Sequence, residues 1–487
     1  MPVPHDPLVF PATDCSTETL TLSAGEGRQE VTYRAYRHIP YVARPVDADY
    51  QSLDVDVPVA VDGIAIDASA APILFVNGVG GYLSDGTVTD AGIPPLREGV
   101  VGARQRELAL AAGYVVVWPG CRGRDNQAAD GTCYGKAPAA IVDLKAAVRY
   151  VRHNRGVIPG DVDRIVSTGC SAGGALSTLL GASGNSPLYT GYLRDLGAAE
   201  AGDHIFAAGC FAPIIDLEHA DMAYEWMHGS IPATRSGAPV DQDLSTRLRA
   251  AFTEYQKSLG LQGDGGFGQI TAGNYDRYLL SRYLIPSAER YLSSLTDVRR
   301  DEYLAANPWV DWDGSSASFS WEDYLKHAGR FKNVPAFDDL EMKAPEPSLF
   351  GSETIEARHF TDFGLREATG DVAAEVDQGL RRLVDLMNPM YFLLRNESDC
   401  APHWWLRRGT DETGIALTSL TNLDLLLRKR GEDVDTWLFW EARHCVDEDP
   451  EGFVSWIGRV ARPAHEVGTS REGRAVAGIP VVPTGPR

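Results

Sequence analysis

Residues 164–181 read RIVSTGCSAGGALSTLLG, and this stretch decides the fold class. RIVST reads as a short buried strand and GGALSTLLG as the start of a helix, so the turn between them carries Gly169-Cys170-Ser171-Ala172-Gly173, a Gly-x-Ser-x-Gly. A sharp strand-to-helix turn lifts a serine Oγ above the strand ends and aims the next backbone N–H at a substrate carbonyl, while flanking glycines relieve crowding. The pattern also arises as a plain glycine-rich turn; the strand before it and the helix after it make Ser171 the candidate nucleophile.

Working outward, the same alternation recurs on both sides. Upstream, ILFVN is a buried strand, ARQRELALAAG a helix stopped by Gly113, and YVVVWPG a second buried strand. PAAIVDLKAAVRYVRHNRG then puts Ile141, Leu144, Val148 and Val151 on one helical face, with cations in the last turn and Gly156 as the stop. Downstream, HIFAAGCFAPI gives another buried strand. Buried strands alternating with helices predict an α/β fold, a mostly parallel sheet with helices on both faces. Residues 18–62 alternate polar and apolar positions, as edge strands do.

After residue 221 the alternation stops. Residues 222–388 are rich in Tyr, Trp, Ser and acids and contain helical pieces such as DLSTRLRAAFTEYQKSLG, which predicts a large, mostly helical inserted cap. The sheet pattern resumes with the strand HWWLRRG, the helix IALTSLTNLDLLLRKRG, the strand DTWLFW and a last helix near EGFVSWIGRVA. The expected organisation is therefore a hydrolase core over 1–221 and 389–465, a cap over 222–388, and a Gly- and Pro-rich flexible tail over 466–487.

Composition narrows the partners. The chain has 487 residues, 44% hydrophobic and 23% charged, and 45 basic against 67 acidic side chains give a net charge of −22. That sign repels phosphate backbones and anionic lipids, so neither nucleic acid nor membrane is expected as a partner; the oligomeric state is left open. No apolar run approaches the roughly 20 residues that cross a bilayer. MPVPHDPLVF has no basic start and no apolar stretch, so a cytoplasmic location is expected, or secretion if a leader precedes this chain. The seven cysteines show no C-x-x-C spacing for zinc or haem.

A serine hydrolase on this fold needs an acid after a late strand and a histidine after the final one. Asp399 precedes the strand HWWLRRG, Glu397 is placed worse, and Asp411 follows the strand's C-terminal end. Asp411 is thus the expected acid, with capping of the next helix as its alternative role. Of the eleven histidines, His444 follows a late strand and precedes the final helix, and is the expected base; His403 is second, with a structural role. For the oxyanion, one backbone donor follows the nucleophile, at Ala172, and the other is expected in NGVGGY, at Gly78 with Val79 or Gly80 beside it.

With these residues in place, the sequence from about QSLDVDVP to SWIG resembles bacterial tannases and the wider tannase and feruloyl esterase group of α/β-hydrolases. The resemblance is carried by GCSAGGALSTLLGASGNSPLY, FAPIIDLEHADMAYEW, FKNVPAFD, SLFG and HWWLRRGTD. It implies a serine carboxylesterase acting on small phenolic esters. In fungal members a Cys-Ser, Asp, His-Cys pattern marks the active site, with a disulfide between the neighbours of nucleophile and base; Cys170-Ser171, Asp411 and His444-Cys445 match it. The competing state is a pair of reduced, buried thiols. Cys121 and Cys133 form a weaker second candidate pair.

The resemblance also implies that Lys332 and Glu346 hold the hydroxyls of a galloyl group. A third acid is expected two residues after the catalytic aspartate, where Thr413 stands; threonine offers one shared hydroxyl in place of a carboxylate, which favours a less hydroxylated acyl group. Solvated surface pairing is the alternative for Lys332 and Glu346. The crowded Asp216, Glu218, His219 and Asp221 look like a metal site but read as structural, since a serine triad needs no metal; neither metal nor cofactor is expected. The competing functional readings are a general carboxylesterase, a peptidase on the same fold, and a non-catalytic binding protein.

Overall fold

The computed structural model describes residues 6–24, 27–86 and 102–462. Ten strands form one sheet among them: β1 (Ser16–Ala24), β2 (Gly27–Pro40), β3 (Ser52–Val61), β4 (Ile64–Ala65), β5 (Ile73–Val76), β6 (Val115–Pro119), β7 (Ile165–Cys170), β8 (Ala207–Phe211), β9 (His403–Gly409) and β10 (Asp433–Phe439). Their order is β1-β2-β3-β6-β5-β7-β8-β9-β10, with β4 added to β3. The pairs from β1 to β6 are antiparallel, and every pair from β6 to β10 is parallel.

The central parallel strands β5, β7 and β8 are buried along their whole length because both faces are covered. Alternate residues of β5 show this directly: Ile73 and Phe75 join the cluster that holds Ile141, Leu144, Val148 and Val151 of the helix Ala139–His153. Leu74 and Val76 face the opposite cluster, with Leu110 of the helix Ala103–Ala111 and Phe453, Trp456 and Ile457 of the helix Pro450–Val460. A strand's period of two sends successive side chains to opposite layers, so each short apolar run feeds two cores at once.

The segment between β8 and β9 is mostly helical. Its longest helix, Gln242–Ser258, packs on Leu217–His228, and two-residue hairpins at 262–269 and 311–318 add little sheet. A boundary at 222 cuts the helix Leu217–His228; the one at 389 coincides with the start of the helix Pro389–Arg395, whose cap is the Asn388 side chain accepting the Met390 N–H at 3.0 Å. Among the described residues, no helix is long and apolar enough to cross a membrane. The expected tail over 466–487 lies outside the described residues.

Candidate active site

Ser171 occupies the turn between β7 and the helix Ala172–Ala182 at φ 59° and ψ −122°, a conformation that a non-glycine residue adopts only when its surroundings hold it there. Three backbone bonds do so: Ser171 N–H to Phe211 O (3.0 Å), Ile214 N–H to Ser171 O (3.2 Å) and Ala175 N–H to Ser171 O (2.9 Å). The flanking glycines are required by space. A Cβ on Gly169 would lie 2.6 Å from the Gly173 carbonyl, and one on Gly173 would lie 2.6 Å from Asn77 Oδ1. Asn77, just beyond β5, ties the two segments together by donating to Thr168 O, Gly173 O and Ser177 Oγ.

Ala172 opens the helix beside Ser171 and lines the same cavity. Gly78 does not fit its expected part as the second oxyanion donor: its N–H donates to Asp85 Oδ2 at 2.9 Å. Burial pushes the Asp85 carboxyl up to about 6, against the pull of that bond and of Trp118. The part of the NGVGGY loop that reaches the cavity is its end, at Gly81 and Tyr82.

The loops that follow β9 and β10 are zipped together. Thr410 N–H bonds to Phe439 O, Asp411 N–H to Ala442 O, and Glu441 N–H to Thr410 Oγ1. Gly409 is needed for this approach, since a Cβ there would lie 1.9 Å from Ala442 O. The acid delivered to His444 by this register is Glu412, whose Oε2 bonds to His444 Nδ1. The expected acid, Asp411, is one residue off. Its N–H is used in the zipper and its carboxylate turns the other way, to Arg235 Nη2 and, at 3.6 Å, Arg443 Nε. Nor does Asp411 cap the next helix, whose N-cap is Ala416.

Glu412 is itself tightly held. Its Oε1 accepts the Gly414 N–H at 2.6 Å, and its carbonyl accepts from Arg408. Burial pushes the carboxyl up, but the bond to His444 and the His444 and Arg408 charges outweigh it and keep Glu412 below the usual carboxylate range. His403 sits at the far end of β9, bonded through Nδ1 to Asp433 at 2.9 Å, and Asp399 accepts from Asn185.

Cys170 and Cys445 form a disulfide with Cα atoms 5.6 Å apart across a separation of 275 residues. It joins the residue before Ser171 to the residue after His444. Cys121 and Cys133, the weaker candidate pair, are both free and buried.

The cap closes the other side of a cavity of about 480 Å³ lined by Ser171, Ala172, Glu412, Thr413 and His444 from the core and by Lys332 and Glu346 opposite. Lys332 and Glu346 are not a solvated surface pair. Glu346 is 4% exposed, with Oε2 buried and without a protein hydrogen bond, and Lys332 Nζ lies 3.5 Å from the Phe337 ring centroid. Burial pushes the lysine down and the glutamate up, and each partner's charge opposes the other's shift. Thr413 is buried at the cavity wall, its carbonyl accepting the Tyr224 hydroxyl.

What places Lys332 is the unusual segment DLEHADMAYEW, most of it in the helix Leu217–His228. Tyr224 Oη accepts the Phe331 and Lys332 N–H groups, at 3.1 and 3.0 Å. Glu225 and Arg330 form a two-pronged ion pair with both side chains fully buried. Asp221 accepts the Phe337 and Asp338 N–H groups, and burial with the nearby Asp338 pushes its carboxyl up to about 7. Asp216 binds His219 Nδ1, Asn388 and Tyr255, while Glu218 is raised mainly by burial. Tyr224, Glu225 and Arg330 were not singled out in the sequence; the only signal for the first two is the density of polar and aromatic residues in that helix, and Arg330, in a loop 105 residues away, has none.

Residues 103–226 match the BD-FAE family. Over 90 residues the chain is 37% identical to the esterase LipQ of Mycobacterium tuberculosis, a match covering 18% of this chain and 20% of that protein, so the chain spans about a fifth of its length. Solved structures match far more completely. The tannin acyl hydrolase of Lactobacillus plantarum is 35% identical, with a TM-score of 0.83 over 93% of this chain and 99% of that one. A tannin acyl hydrolase in complex with 3,4-dihydroxybenzoate is 34% identical, with a TM-score of 0.82 over the same shares. Identity above 30% across nearly the whole of both chains leaves one conclusion: the chain belongs to the tannase (tannin acyl hydrolase) family of carboxylic ester hydrolases, with the α/β-hydrolase fold and its cap.

Proposed function

We propose that the protein hydrolyses small esters of phenolic acids through Ser171, with His444 as the base and Glu412 as the carboxylate that orients it. The observation that carries this reading is the meeting, in one cavity, of the strained Ser171 turn, the Glu412-bound His444, the half-buried Lys332 and the buried Glu346. Ser171 Oγ attacks the ester carbonyl while His444 Nε2 takes its proton; Glu412 holds the Nδ1–H and stabilises the imidazolium. The oxyanion accepts the Ala172 N–H and a donor from the 79–81 stretch of the loop after β5. Collapse breaks the carbonyl–alkoxy bond, His444 passes its proton to the departing alcohol, and an acyl-Ser171 remains. Water then attacks the acyl carbon, gives a proton to His444, and the free acid leaves as that proton returns to Ser171 Oγ.

The acyl ring lies between the Ser171 turn and the cap. Glu346 accepts a phenolic O–H, which satisfies its buried, unpartnered Oε2, and Lys332 donates to a phenolic oxygen. The similar tannin acyl hydrolase solved with 3,4-dihydroxybenzoate supports this class of acyl group. Thr413 remains a wall residue, but with Glu412 on His444 the position two beyond the acid is Gly414, which also lines the cavity. A galloyl group would therefore find no third carboxylate at either position, and a 3,4-dihydroxybenzoyl ester is the expected better substrate.

The test is side-by-side turnover of methyl gallate, methyl 3,4-dihydroxybenzoate, methyl ferulate and a short aliphatic ester, with pre-steady-state kinetics on an aryl ester. Expected are preferential turnover of the phenolic esters, a burst of one leaving-group phenol per chain on the aryl ester, and a loss of at least about 10⁴-fold in kcat for Ser171→Ala. Turnover that survives in Ser171→Ala, or no preference among the four esters, would overturn the reading.

A further inference from the structure

Resting on that reading, we propose that Arg443 and Arg235 form a carboxylate-binding subsite for the alcohol half of the substrate, so that the preferred esters are those whose alcohol carries a carboxylate. The two ends of the cavity differ in kind. The buried Glu346 and Thr413, with the half-buried Lys332, make an end where a ring can be enclosed, while Arg235 and Arg443 line the same cavity with side chains 42% and 84% exposed. An ester whose phenolic acyl group enters the buried end points its alcohol toward the open one. Arg443 directly precedes His444, the residue that protonates the departing alcohol, and lines the cavity with an exposed side chain.

The charge count at this end favours an anion. Two guanidinium groups share one carboxylate, Asp411: Arg235 is bonded to it, and Arg443 only approaches it, at 3.6 Å. Arg235 is also fixed by its bond to Ala328 O and by its backbone N–H on Arg330 O. The other acid close by, Glu441, is taken by His327 Nε2 at 2.9 Å and Tyr303 Oη at 2.7 Å, and Glu412 is held by His444. The cluster of Arg235, Arg443 and Asp411 thus carries one unmatched positive charge, on a chain whose net charge is −22. Arg443 is the freer of the two guanidiniums, and a planar, forked donor suits a carboxylate in two-pronged contact.

The experiment compares two esters of 3,4-dihydroxybenzoic acid that differ only in the alcohol, 4-hydroxybutyric acid and its carboxamide, which are matched in size and in leaving-group chemistry. The expected wild-type preference for the carboxylate ester is about fivefold in kcat/KM at low ionic strength, falling toward parity in 0.5 M salt. Arg443→Gln should bring the ratio to about one and Arg443→Glu should invert it, whereas Arg382→Gln, at an exposed cap position, should keep the wild-type ratio. Calorimetric binding of both esters to Ser171→Ala reads the same preference without turnover. Turnover of neither ester would refute the esterase reading alone, because the binding arm still decides the subsite. Equal binding and equal turnover of the two esters, or Arg443 variants that slow both esters equally, would overturn the subsite.

Discussion

Ser171, His444 and Glu412 hang from the carboxyl ends of β7, β10 and β9, whereas Lys332 stands on an irregular cap segment and Glu346 in the short helix Pro345–Leu349. In the first region the backbone does the positioning: parallel register sets strand ends side by side, the loops after β9 and β10 zip together, and the Cys170–Cys445 bond ties the outermost pair. In the second region side chains do it, through the Glu225–Arg330 ion pair, the Tyr224 hydroxyl and the Asp221 carboxyl. The difference teaches where each half is vulnerable. The core half should fail by chemistry with the fold intact, and the cap half should fail by loss of buried polar partners.

The sharpest way to break the comparison lies at two adjacent acids. Glu412→Gln removes the charge that orients His444 and should lower kcat by about 10³–10⁴-fold at unchanged Tm, while Asp411→Asn should stay within about tenfold of the wild type. Steady-state kinetics of the two variants decide it, and the reverse ranking would return the acid's role to Asp411. Next in size is the cap: Glu225→Gln leaves Arg330 buried and unpaired, with an expected cost of about 3–5 kcal/mol in denaturant unfolding and a raised KM for phenolic esters. A variant as stable as the wild type would show that the cap does not depend on this pair.

Removing the disulfide tests the core half. Closure of a loop of 275 residues contributes up to about 5 kcal/mol in chain-entropy terms. Cys170→Ala/Cys445→Ala should therefore lower Tm, and because the bond joins the Ser171 turn to the His444 loop, kcat should fall by about tenfold at temperatures where the fold persists. Full activity in that variant would leave the zipper of backbone bonds as the sufficient positioner. The smallest expected effect is at Lys332. Lys332→Met should raise KM for a 3,4-dihydroxybenzoyl ester by about tenfold and shift that of an aliphatic ester by less than about twofold, measured side by side. Equal shifts on both esters would remove Lys332 from the acyl subsite.

The sequence by itself determined the strand and helix alternation, the turn at Ser171, the histidine after the last strand, and the helical character of 222–388, because each is written in local periodicity or in glycines that permit a tight turn. The pairing of Cys170 with Cys445 and the interest of Lys332 and Glu346 came from family resemblance. What only the tertiary structure decided was which of two neighbouring acids reaches His444, which amide of the NGVGGY loop is already occupied, and what holds Lys332 in place. In TDETG, Asp411 and Glu412 differ by one position and one methylene, and nothing local separates them. The choice is made by the pairing of Asp411 N–H with Ala442 O, a contact between two loops that meet only because β9 and β10 are neighbours. Gly78 likewise looks free until Asp85 folds back on it, and Glu225 and Arg330, 105 residues apart, have no reason to be paired until the helix that carries one is packed under the loop that carries the other. Local pattern fixes which elements form; side-chain partners are fixed by the register and packing of elements distant in the chain.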